Sequence, residues 1–298
     1  MLFDRQKRLL ALVDALGGEV GGLDFQKLLF LYCREVEETP SYEFVPYRFG
    51  GFSFTSYADK RRLIERSLLA DEERTWKLTA SGKVAAAVAP MTRLQMDQFV
   101  HQLDGLRGDA LVAETYRRHP YYAIRSEMAE RILAGDTRAL AAIASARPAA
   151  GSPGVCTIGY EGCSLEGYLN RLLQAGVTLL CDVRRNPLSR KYGFSKSTLA
   201  KGCEGVGIRY EHLPELGIAS EERRNLVTQA DYDMLFRGYE RESLPQQSQA
   251  LSKIRGWVDA GERVALTCFE RLPEQCHRHC VADALQREFG KKFAPAHL

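Results

Sequence analysis

The sequence predicts an α/β protein in which a helical domain precedes a three-layer domain with a mostly parallel sheet. Apolar stretches after residue 153 alternate with helical patterns, which favours parallel strands joined by crossover helices. A stretch rich in small residues, ARPAAGSPG, precedes this change and indicates a domain boundary. We therefore expect a first domain over residues 1–90, a helical connector over 91–152 and the α/β domain over 153–298.

The first domain is predicted to be a winged helix, because helices are followed by a short hairpin arm. Asp24 is expected to cap a helix whose apolar residues share one face. A basic helix over 57–69 directs Arg61, Arg62 and Arg66 outward, and RTWKLTASGK predicts the hairpin. Winged helices place one helix in the DNA major groove, so these arginines are candidate DNA contacts. Alternatively, they form the solvated face of a protein-interaction domain.

The same domain resembles the Panacea-type antitoxin domains and related winged-helix modules. The resemblance runs from Phe25 to Lys83 and rests on three stretches, QKLLFLYC, FVPYRFGGFS and WKLTASGK. It implies a winged-helix fold. It also implies, through the systems in which such domains occur, a role in defence or repair.

Five strands are predicted in the α/β domain, over residues 155–159, 177–183, 208–212, 263–268 and 292–297. The carboxyl ends of parallel strands meet at one edge of the sheet, where such sheets bind ligands. Polar and ionisable side chains follow four of these strands, which predicts a site at that edge. They are Tyr160 after the first strand, Asp182, Arg184 and Arg185 after the second, His212 after the third, and Cys268, Glu270, Cys276, His277 and Arg278 after the fourth.

The α/β domain resembles the domain of unknown function 488 family over nearly all of residues 154–298. The resemblance rests on four stretches, CTIGYEG, CDVRRNPLSRKYGFSK, IRYEHLPELG and LTCFERLPEQCHRHCVADAL. Members of this family commonly share a DVR signature followed by a proline, and a CHR signature. Both are present here, beginning at Asp182 and at Cys276. The resemblance implies a shared site at these residues without naming its reaction.

Four residues of the edge are candidate catalytic groups, namely Asp182, Glu270, Cys276 and His277. Asp182 is embedded in an apolar strand and Arg184 projects from the same strand face, so the pair is either structural or a poised general base. His277 begins the buried stripe of the following helix and could act as an acid, a base or a donor to an anion. Cys276 lies at a helix start, where a thiolate is favoured.

Substrate contacts are expected from the other groups at the edge, Tyr160, Arg184, Arg185, His212, Cys268 and Arg278. Arg278 and the open amides of its helix start favour a phosphate or carboxylate. The segment 181–209 contains seven basic residues against two acidic ones, with aromatic residues among them. This pattern suits a nucleic-acid backbone and an unstacked base, through Arg190, Lys191, Tyr192 and Lys196. A solvated basic loop is the alternative.

A zinc site is one interpretation of the cluster of cysteines and histidines near the carboxyl end. Cys268, Cys276, His279 and Cys280 lie close in sequence, as zinc ligands often do. Helical spacing, however, places His279 on the polar face of the last helix, whereas Cys280 belongs to the buried stripe. Because one ion cannot easily collect ligands from both faces, the sequence predicts no metal site, and no cofactor is expected.

These features together predict an enzyme that processes nucleic acid, with DNA favoured as the partner. It would hydrolyse an N-glycosidic or a phosphate bond in modified or damaged DNA. For the first bond, Asp182 would position water, His277 would assist the leaving group and Tyr160 would stack on a flipped base. For the second, the arginines would hold the phosphate. The alternatives without turnover are a ligand-sensing DNA-binding regulator and an antitoxin-like interaction protein.

The composition predicts a cytoplasmic protein that is not embedded in a membrane. Its eight cysteines lack the spacing of a disulfide framework, which suggests reduced thiols. No run approaches the roughly 18 apolar residues of a membrane span. Charged residues at positions 4, 5, 7 and 8 would interrupt the apolar core of a secretory signal.

Overall fold

The chain forms two compact units, Met1–Arg147 and Pro148–Leu298. A computed structural model describes residues 1–103, 105–219, 221–223 and 226–298. Within these ranges, no helix has both the length and the apolar character that crossing a membrane requires. The division between the units falls inside the small-residue stretch that precedes the first strand of the parallel sheet.

The first unit is mainly helical and contains two small antiparallel sheets. Its elements are, in chain order, α1 (Asp4–Ala15), β1 (Glu19–Gly21), α2 (Gly22–Glu35), β2 (Val45–Tyr47), β3 (Gly50–Phe52), α3 (Phe54–Glu65), β4 (Thr75–Lys77), α4 (Ala80–Ala85), α5 (Pro90–Gln102), α6 (Gly108–Arg118), α7 (Ala129–Ile132) and α8 (Thr137–Ser145). The helices α5 to α8 belong to the predicted connector. They lie within this unit, so the structure does not separate residues 91–147 from the first 90.

Helix α2 is deeply buried, with nine of its fourteen residues inaccessible to solvent. It begins at Gly22, three residues earlier than a cap at Asp24 would allow. The Asp24 carboxylate instead accepts a hydrogen bond of 2.8 Å from the backbone N–H of Gly108. The prediction that Asp24 caps α2 is therefore wrong. The Asp24 side chain instead connects the start of α2 to the start of α6.

The small sheets of the first unit join segments that are distant in sequence. Strand β1 pairs antiparallel with β4, and an isolated bridge joins Leu69 to Leu78 beside them. Strands β2 and β3 form a hairpin between α2 and α3. Helix α3 begins three residues before its predicted start because Ser53 caps it, accepting a bond of 3.2 Å from the Ser56 N–H. It ends early because Ser67 adopts a positive φ of 55°.

The second unit contains a five-stranded sheet in which every strand pair is parallel, in the order β7-β6-β8-β5-β9. Its elements are β5 (Gly154–Gly159), α9 (Leu165–Gln174), β6 (Leu179–Asp182), α10 (Lys196–Gly205), β7 (Arg209–His212), α11 (Gln229–Gly238), α12 (Ser248–Asp259), β8 (Arg263–Cys268), α13 (Arg278–Phe289) and β9 (Ala296–His297). The prediction of an α/β unit with a parallel sheet is confirmed. The last strand is shorter than predicted, with two residues.

Helices cover both faces of this sheet. Helices α12 and α13 pack their apolar residues against Leu179, Val264 and Leu266 in one continuous core. Thr267 points to the opposite face because side chains alternate along a strand. There it accepts a hydrogen bond of 2.7 Å from the hydroxyl of Tyr168 on α9. The central strands β5, β6 and β8 are thus buried on both sides, which is why their sequences are largely apolar.

The buried Lys27 of α2 yields a test of the first unit. Its ammonium contacts the carbonyls of Phe49 and Gly51, and burial lowers its pKa to about 7 from an ordinary 10.5. Between these two pH values the unfolded chain binds more protons than the folded one, so stability must rise with pH. Relative to a Lys27→Met variant, we expect the free energy of unfolding to increase by about 1.4 kcal/mol per pH unit across this window.

The measurement is urea denaturation followed by the fluorescence of Trp76, in a Trp257→Phe background that removes the second tryptophan. Other titrating groups cancel in the comparison because both proteins share them. If the stability profiles of the parent chain and the Lys27→Met variant run parallel from pH 7 to pH 10.5, the lysine keeps its ordinary pKa and the expectation is wrong.

Candidate active site

A cavity of about 280 Å³ opens at the carboxyl edge of the parallel sheet. The strand register brings the strand ends together there, since Gly159 lies opposite Cys268 and Asp182 lies opposite both His212 and Thr267. Six predicted site residues line the cavity, namely Tyr160, Arg184, Arg185, Arg190, Cys268 and His277. The lining also includes Asn186, Leu188, Ser189, Ile218, Arg223 and Phe269, which the sequence did not single out.

Asp182 and Arg184 form a buried ion pair, with side-chain exposures of 0% and 6%. Arg184 donates from Nε to Oδ1 at 2.8 Å, from Nη2 to Oδ2 at 2.5 Å and from its backbone N–H to Oδ1 at 3.1 Å. The Tyr210 hydroxyl donates to Oδ2 at 2.7 Å, and burial and Asp182 raise the pKa of Tyr210, which keeps that proton in place. Both carboxylate oxygens are therefore engaged, and Asp182 does not line the cavity. This geometry favours the structural alternative for Asp182 over a general base.

Tyr160 is held by the same arginine. Arg184 Nη1 donates to the Tyr160 hydroxyl at 2.8 Å and to the carbonyl of Phe194 at 2.9 Å. The Tyr160 ring stacks on Phe194 with a centroid distance of 4.4 Å and an interplanar angle of 8°, and the Arg184 guanidinium lies 5.0 Å from its centroid. Because Tyr160 is stacked and only 3% exposed, this geometry disfavours its predicted stacking on a flipped base.

Cys268, Cys276 and His277 form a compact buried cluster at the end of β8 and the start of α13. One ring nitrogen of His277 and the two Sγ atoms lie within 4.8 Å of one another, and each residue is at most 1% exposed. His277 Nδ1 lies 3.8 Å from Cys268 Sγ, whereas Nε2 lies 2.9 Å from the carbonyl oxygen of Val183. A carbonyl only accepts, so Nε2 bears the proton and Nδ1 offers its lone pair to the thiols.

The three groups of the cluster shift one another's pKa values. A hydrogen bond from Cys276, together with His277 and Arg223, lowers the pKa of Cys268 well below its ordinary value, although burial opposes this. Burial and the neighbouring Cys268 raise the pKa of the Cys276 thiol. Burial also disfavours the charged form of His277, but Cys268 raises the pKa of its ring above the usual value.

Glu270 and Arg223 form an ion pair beside the cluster. The Arg223 guanidinium contacts Glu270 Oε1, whereas Oε2 lies 3.6 Å from Cys268 Sγ. Burial raises the pKa of Glu270, and Arg223 opposes this shift. Sequence reasoning missed Arg223, which precedes α11 and is separated from its partner by 47 positions. Nothing in its own neighbourhood signals the contact, because the pairing arises only when the chain folds.

Two predicted substrate-binding residues make structural contacts instead. Arg278 is 1% exposed and donates to the carbonyls of Glu270 at 2.6 Å and Arg271 at 2.9 Å, which anchors the loop after β8. The ring of His212 lies 2.9 Å from the carbonyl oxygen of Arg184 and 3.1 Å from Lys196 Nζ. Neither Arg278 nor His212 lines the cavity. These contacts favour structural roles for both residues, and their contact with a substrate stays a prediction.

The basic segment after β6 reaches the cavity with two of its side chains. Arg185 and Arg190 line the cavity, are exposed to solvent and form no ion pair with any residue that the structure describes. Lys191 Nζ instead donates to the carbonyl of Tyr160 at 3.2 Å. The exposed Tyr192, like Lys196, is not a lining residue.

Gly159 allows the loop after β8 to lie across the end of β5. A Cβ at this position would lie 1.9 Å from the carbonyl oxygen of Glu270, so only glycine leaves room for that backbone. The adjacent Glu161 N–H donates to the carbonyl of Phe269 at 2.9 Å. The loop that carries Phe269 and Glu270 is thereby fixed against the strand ends.

The candidate DNA contacts of the first unit lie on or just after α3. Arg61 is exposed, and Arg62 Nη1 lies 3.9 Å from the Asp59 carboxylate. Arg66 Nη1 donates to the carbonyl of Met1 at 2.8 Å. Asp59 itself is buried and also pairs with Arg5 at 2.6 Å, so it offsets little of the charge that α3 presents to solvent.

Comparison with known proteins matches part of the second unit to a family. Residues 164–285 match the family model described as domain of unknown function DUF488. This match supports the resemblance of the α/β unit to that family, and it includes the cavity residues from Arg184 to His277. No curated protein and no solved structure matches the chain significantly.

The Asp182–Arg184 pair yields a test of the site's framework. An Asp182→Asn variant keeps the side-chain shape but leaves the buried guanidinium without its counter-charge. We expect it to lower the free energy of unfolding of the second unit by about 3–5 kcal/mol. Tyr210→Phe removes one hydrogen bond to a charged group and should cost less, about 1.5 kcal/mol.

Urea denaturation followed by Trp257 fluorescence in a Trp76→Phe background measures these changes. Asp259→Asn is the matched control, because Asp259 is also an ion-paired aspartate, with Arg255 and Lys292 as its partners, but is exposed. Equal stability of the Asp182→Asn and Asp259→Asn chains would contradict the structural role of the buried pair.

Proposed function

We propose that the second unit is an enzyme that binds a phosphate-bearing nucleotide or nucleic-acid strand and hydrolyses a phosphate bond in it. The observation that supports this proposal most strongly is the cationic character of the cavity. Four arginines line it, and no carboxylate is among its described lining residues. A cavity at the carboxyl edge of a parallel sheet is also where such folds bind their ligands.

The charge of the cavity favours an anionic substrate. Arg184 is neutralised by Asp182, and Arg223 by Glu270. Arg185 and Arg190 have no such counter-charge among the described residues. Two guanidinium groups that project into one cavity suit the planar, paired hydrogen bonding of phosphate oxygens.

The surroundings of Asp182 favour a phosphate bond over an N-glycosidic bond. Glycoside hydrolysis would require a carboxylate that positions water or offsets charge on the sugar. Asp182 cannot meet this requirement, because Arg184 and Tyr210 occupy both of its oxygens outside the cavity. The phosphate route needs only cations that hold the substrate and a group that supplies the nucleophile.

The size of the cavity and its rim favour a single nucleotide unit. A volume of about 280 Å³ lies just below the range of pockets that enclose a whole drug-sized ligand. It suits a phosphate and its sugar, with the base outside. Phe269 lines the cavity with 42% of its surface exposed, so it replaces Tyr160 as the ring available for base stacking.

Replacement of Arg185 and Arg190, which have no counter-charge among the described residues, tests the anionic substrate. A double variant Arg185→Ala/Arg190→Ala should bind a single-stranded oligonucleotide or a nucleoside monophosphate at least about tenfold more weakly per arginine, because each loses a charge-assisted hydrogen bond. The salt dependence of binding should also become shallower. Calorimetric titration at several salt concentrations, together with product analysis, measures both effects.

The matched control is Lys201→Ala/Lys253→Ala, which removes the same charge from exposed positions outside the cavity. If both double variants lost the same binding affinity, the effect would be due to net charge alone. That result would contradict the assigned contacts of Arg185 and Arg190 with phosphate. Tight binding without turnover of natural, modified and damaged substrates would contradict the proposal that the second unit is an enzyme. That result would instead favour a ligand-sensing regulator.

We further propose that the first unit is of winged-helix type and docks duplex DNA through α3. The order of the elements supports this proposal. Helix α1 is followed by strand β1, by helices α2 and α3, and by an arm over residues 69–78 whose strand β4 pairs with β1. In such modules a helix that precedes the arm enters the major groove. Helix α3 precedes the arm here, and Arg61 projects from it into solvent.

A double variant Arg61→Ala/Arg62→Ala should weaken duplex binding uniformly across sequences and reduce the salt slope by about 2, one unit for each lost phosphate contact. Fluorescence anisotropy with labelled duplexes measures both quantities. Arg131→Ala/Arg138→Ala, on the later helices α7 and α8, is the control with the same charge change. Unchanged affinity of the α3 variant would remove the docking role.

A further inference from the structure

We propose that Cys268, Cys276 and His277 hold one zinc ion whose remaining coordination position faces the arginine-lined cavity. Three potential ligand atoms already meet at one buried point, within 4.8 Å of one another. Three protein ligands with one open position are the usual arrangement of a catalytic zinc site.

The distances of the cluster are close to those of a bound metal. Zinc binds sulfur at about 2.3 Å and nitrogen at about 2.0 Å, so tetrahedral geometry places the two ligand atoms about 3.6 Å apart. His277 Nδ1 and Cys268 Sγ are separated by 3.8 Å. A shift of a few tenths of an ångström therefore brings these two atoms to the spacing of zinc ligands.

The orientation of His277 is an independent sign of a metal ligand. Its Nε2–H donates to the carbonyl of Val183 at 2.9 Å, which fixes the ring and leaves Nδ1 as the free lone pair. Histidines that bind metals almost always donate their other ring N–H to a carbonyl or a carboxylate in this way. The same Nδ1 lies 3.8 Å from the Cys268 Sγ, on the side of the ring opposite to the nitrogen that donates.

The ligand types and their burial select the metal. Two thiolates and one imidazole are soft or borderline ligands, which favour zinc over magnesium or calcium. In the zinc-bound state both cysteines are thiolates, and the two negative sulfurs balance the charge of Zn²⁺. The buried site is electrically neutral in that state, which lowers the cost of its burial.

The open position lies where a substrate could reach it. Cys268 and His277 line the cavity, whereas Cys276 does not. Oε2 of Glu270 lies 3.6 Å from Cys268 Sγ and can accept a hydrogen bond from a zinc-bound water. If the proposed function holds, this water is the nucleophile. Its oxygen bonds to phosphorus, the P–O ester bond breaks, and one proton of the water passes to the leaving oxygen.

This ligand set differs from the one that the sequence spacing suggested. His279 directs Nδ1 to the carbonyl of Cys276 at 2.7 Å, and Cys280 Sγ contacts the His279 ring. Neither belongs to the cluster. The adjacent His277 takes the place of His279 because it lies just before α13, outside the helical spacing that separates the later residues.

The test measures zinc in the purified full chain by plasma mass spectrometry. The wild-type chain should contain one equivalent, and Cys276→Ser and His277→Gln should bind zinc more than about 100-fold more weakly, since even loss of an outer partner costs 10- to 100-fold. Cys280→Ser is the matched control, because Cys280 is equally buried but lies outside the cluster. Loss of zinc from Cys280→Ser, or its retention by Cys276→Ser, would overturn the site.

A second measurement does not depend on the folding of any variant. Wild-type protein is stripped with a chelator under reducing conditions and titrated with Co²⁺ alone. We expect thiolate-to-cobalt charge-transfer absorption that saturates at one equivalent and disappears on addition of Zn²⁺. Absence of this absorption would overturn the metal site.

The tests of the zinc site and of the proposed enzyme can give different results. Arg185→Ala/Arg190→Ala should retain its zinc, since neither arginine is a ligand. Zinc binding without turnover would contradict the enzyme and leave the metal site standing. Turnover that survives complete removal of the metal would exclude the zinc-bound water and leave the enzyme standing.

Discussion

The buried pair of Asp182 and Arg184 is the interaction on which the candidate site depends. A guanidinium inside a protein is costly unless its donors are satisfied, and here Nε, Nη1 and Nη2 all have acceptors. Those acceptors belong to the ends of β6 and β5 and to the segment before α10, with Tyr210 adding β7 through its bond to Asp182. One ion pair therefore joins three strand ends. It also fixes the backbone from which Arg185 and Arg190 project, and so it determines which cations of the basic segment reach the cavity.

Strand β8 and the segment that follows it contribute the cysteine and histidine side chains of the site, and close backbone packing holds this segment in place. Gly159 lets the loop after β8 cross the end of β5, and Arg278 holds that loop by two carbonyls. His277 then meets Val183, the residue that follows Asp182, so the cluster and the ion pair are consecutive parts of one wall. The charged and the nucleophilic groups of the cavity thus come from two separate segments. The segment after β6 supplies the positive charge, and the segment after β8 supplies the sulfur and imidazole groups.

The parallel sheet and the sequence positions of its strand ends were predictable, because buried strands leave continuous apolar runs and crossover helices leave periodic ones. The orientations of the side chains at those ends were not. Tyr160 stacks on Phe194, Arg278 donates to backbone carbonyls and Arg223 comes from a distant segment, and each depends on a contact made only after folding. The same reason explains why sequence spacing groups His279 with the cysteines, whereas the structure brings His277 close to Cys268 and Cys276. Periodicity assigns residues to faces only within a helix, and His277 lies just before α13. The orientation of its ring is set by its hydrogen bond to the carbonyl of Val183, which follows β6.

An experimental structure of the full chain with a nucleoside monophosphate would show most directly whether this edge of the sheet is a phosphate site. We expect phosphate density within hydrogen-bonding distance of Arg185 and Arg190, with the sugar toward Cys268 and the base against Phe269. Phosphate bound elsewhere on the chain, with the arginine-lined cavity left to solvent at saturating ligand, would contradict it.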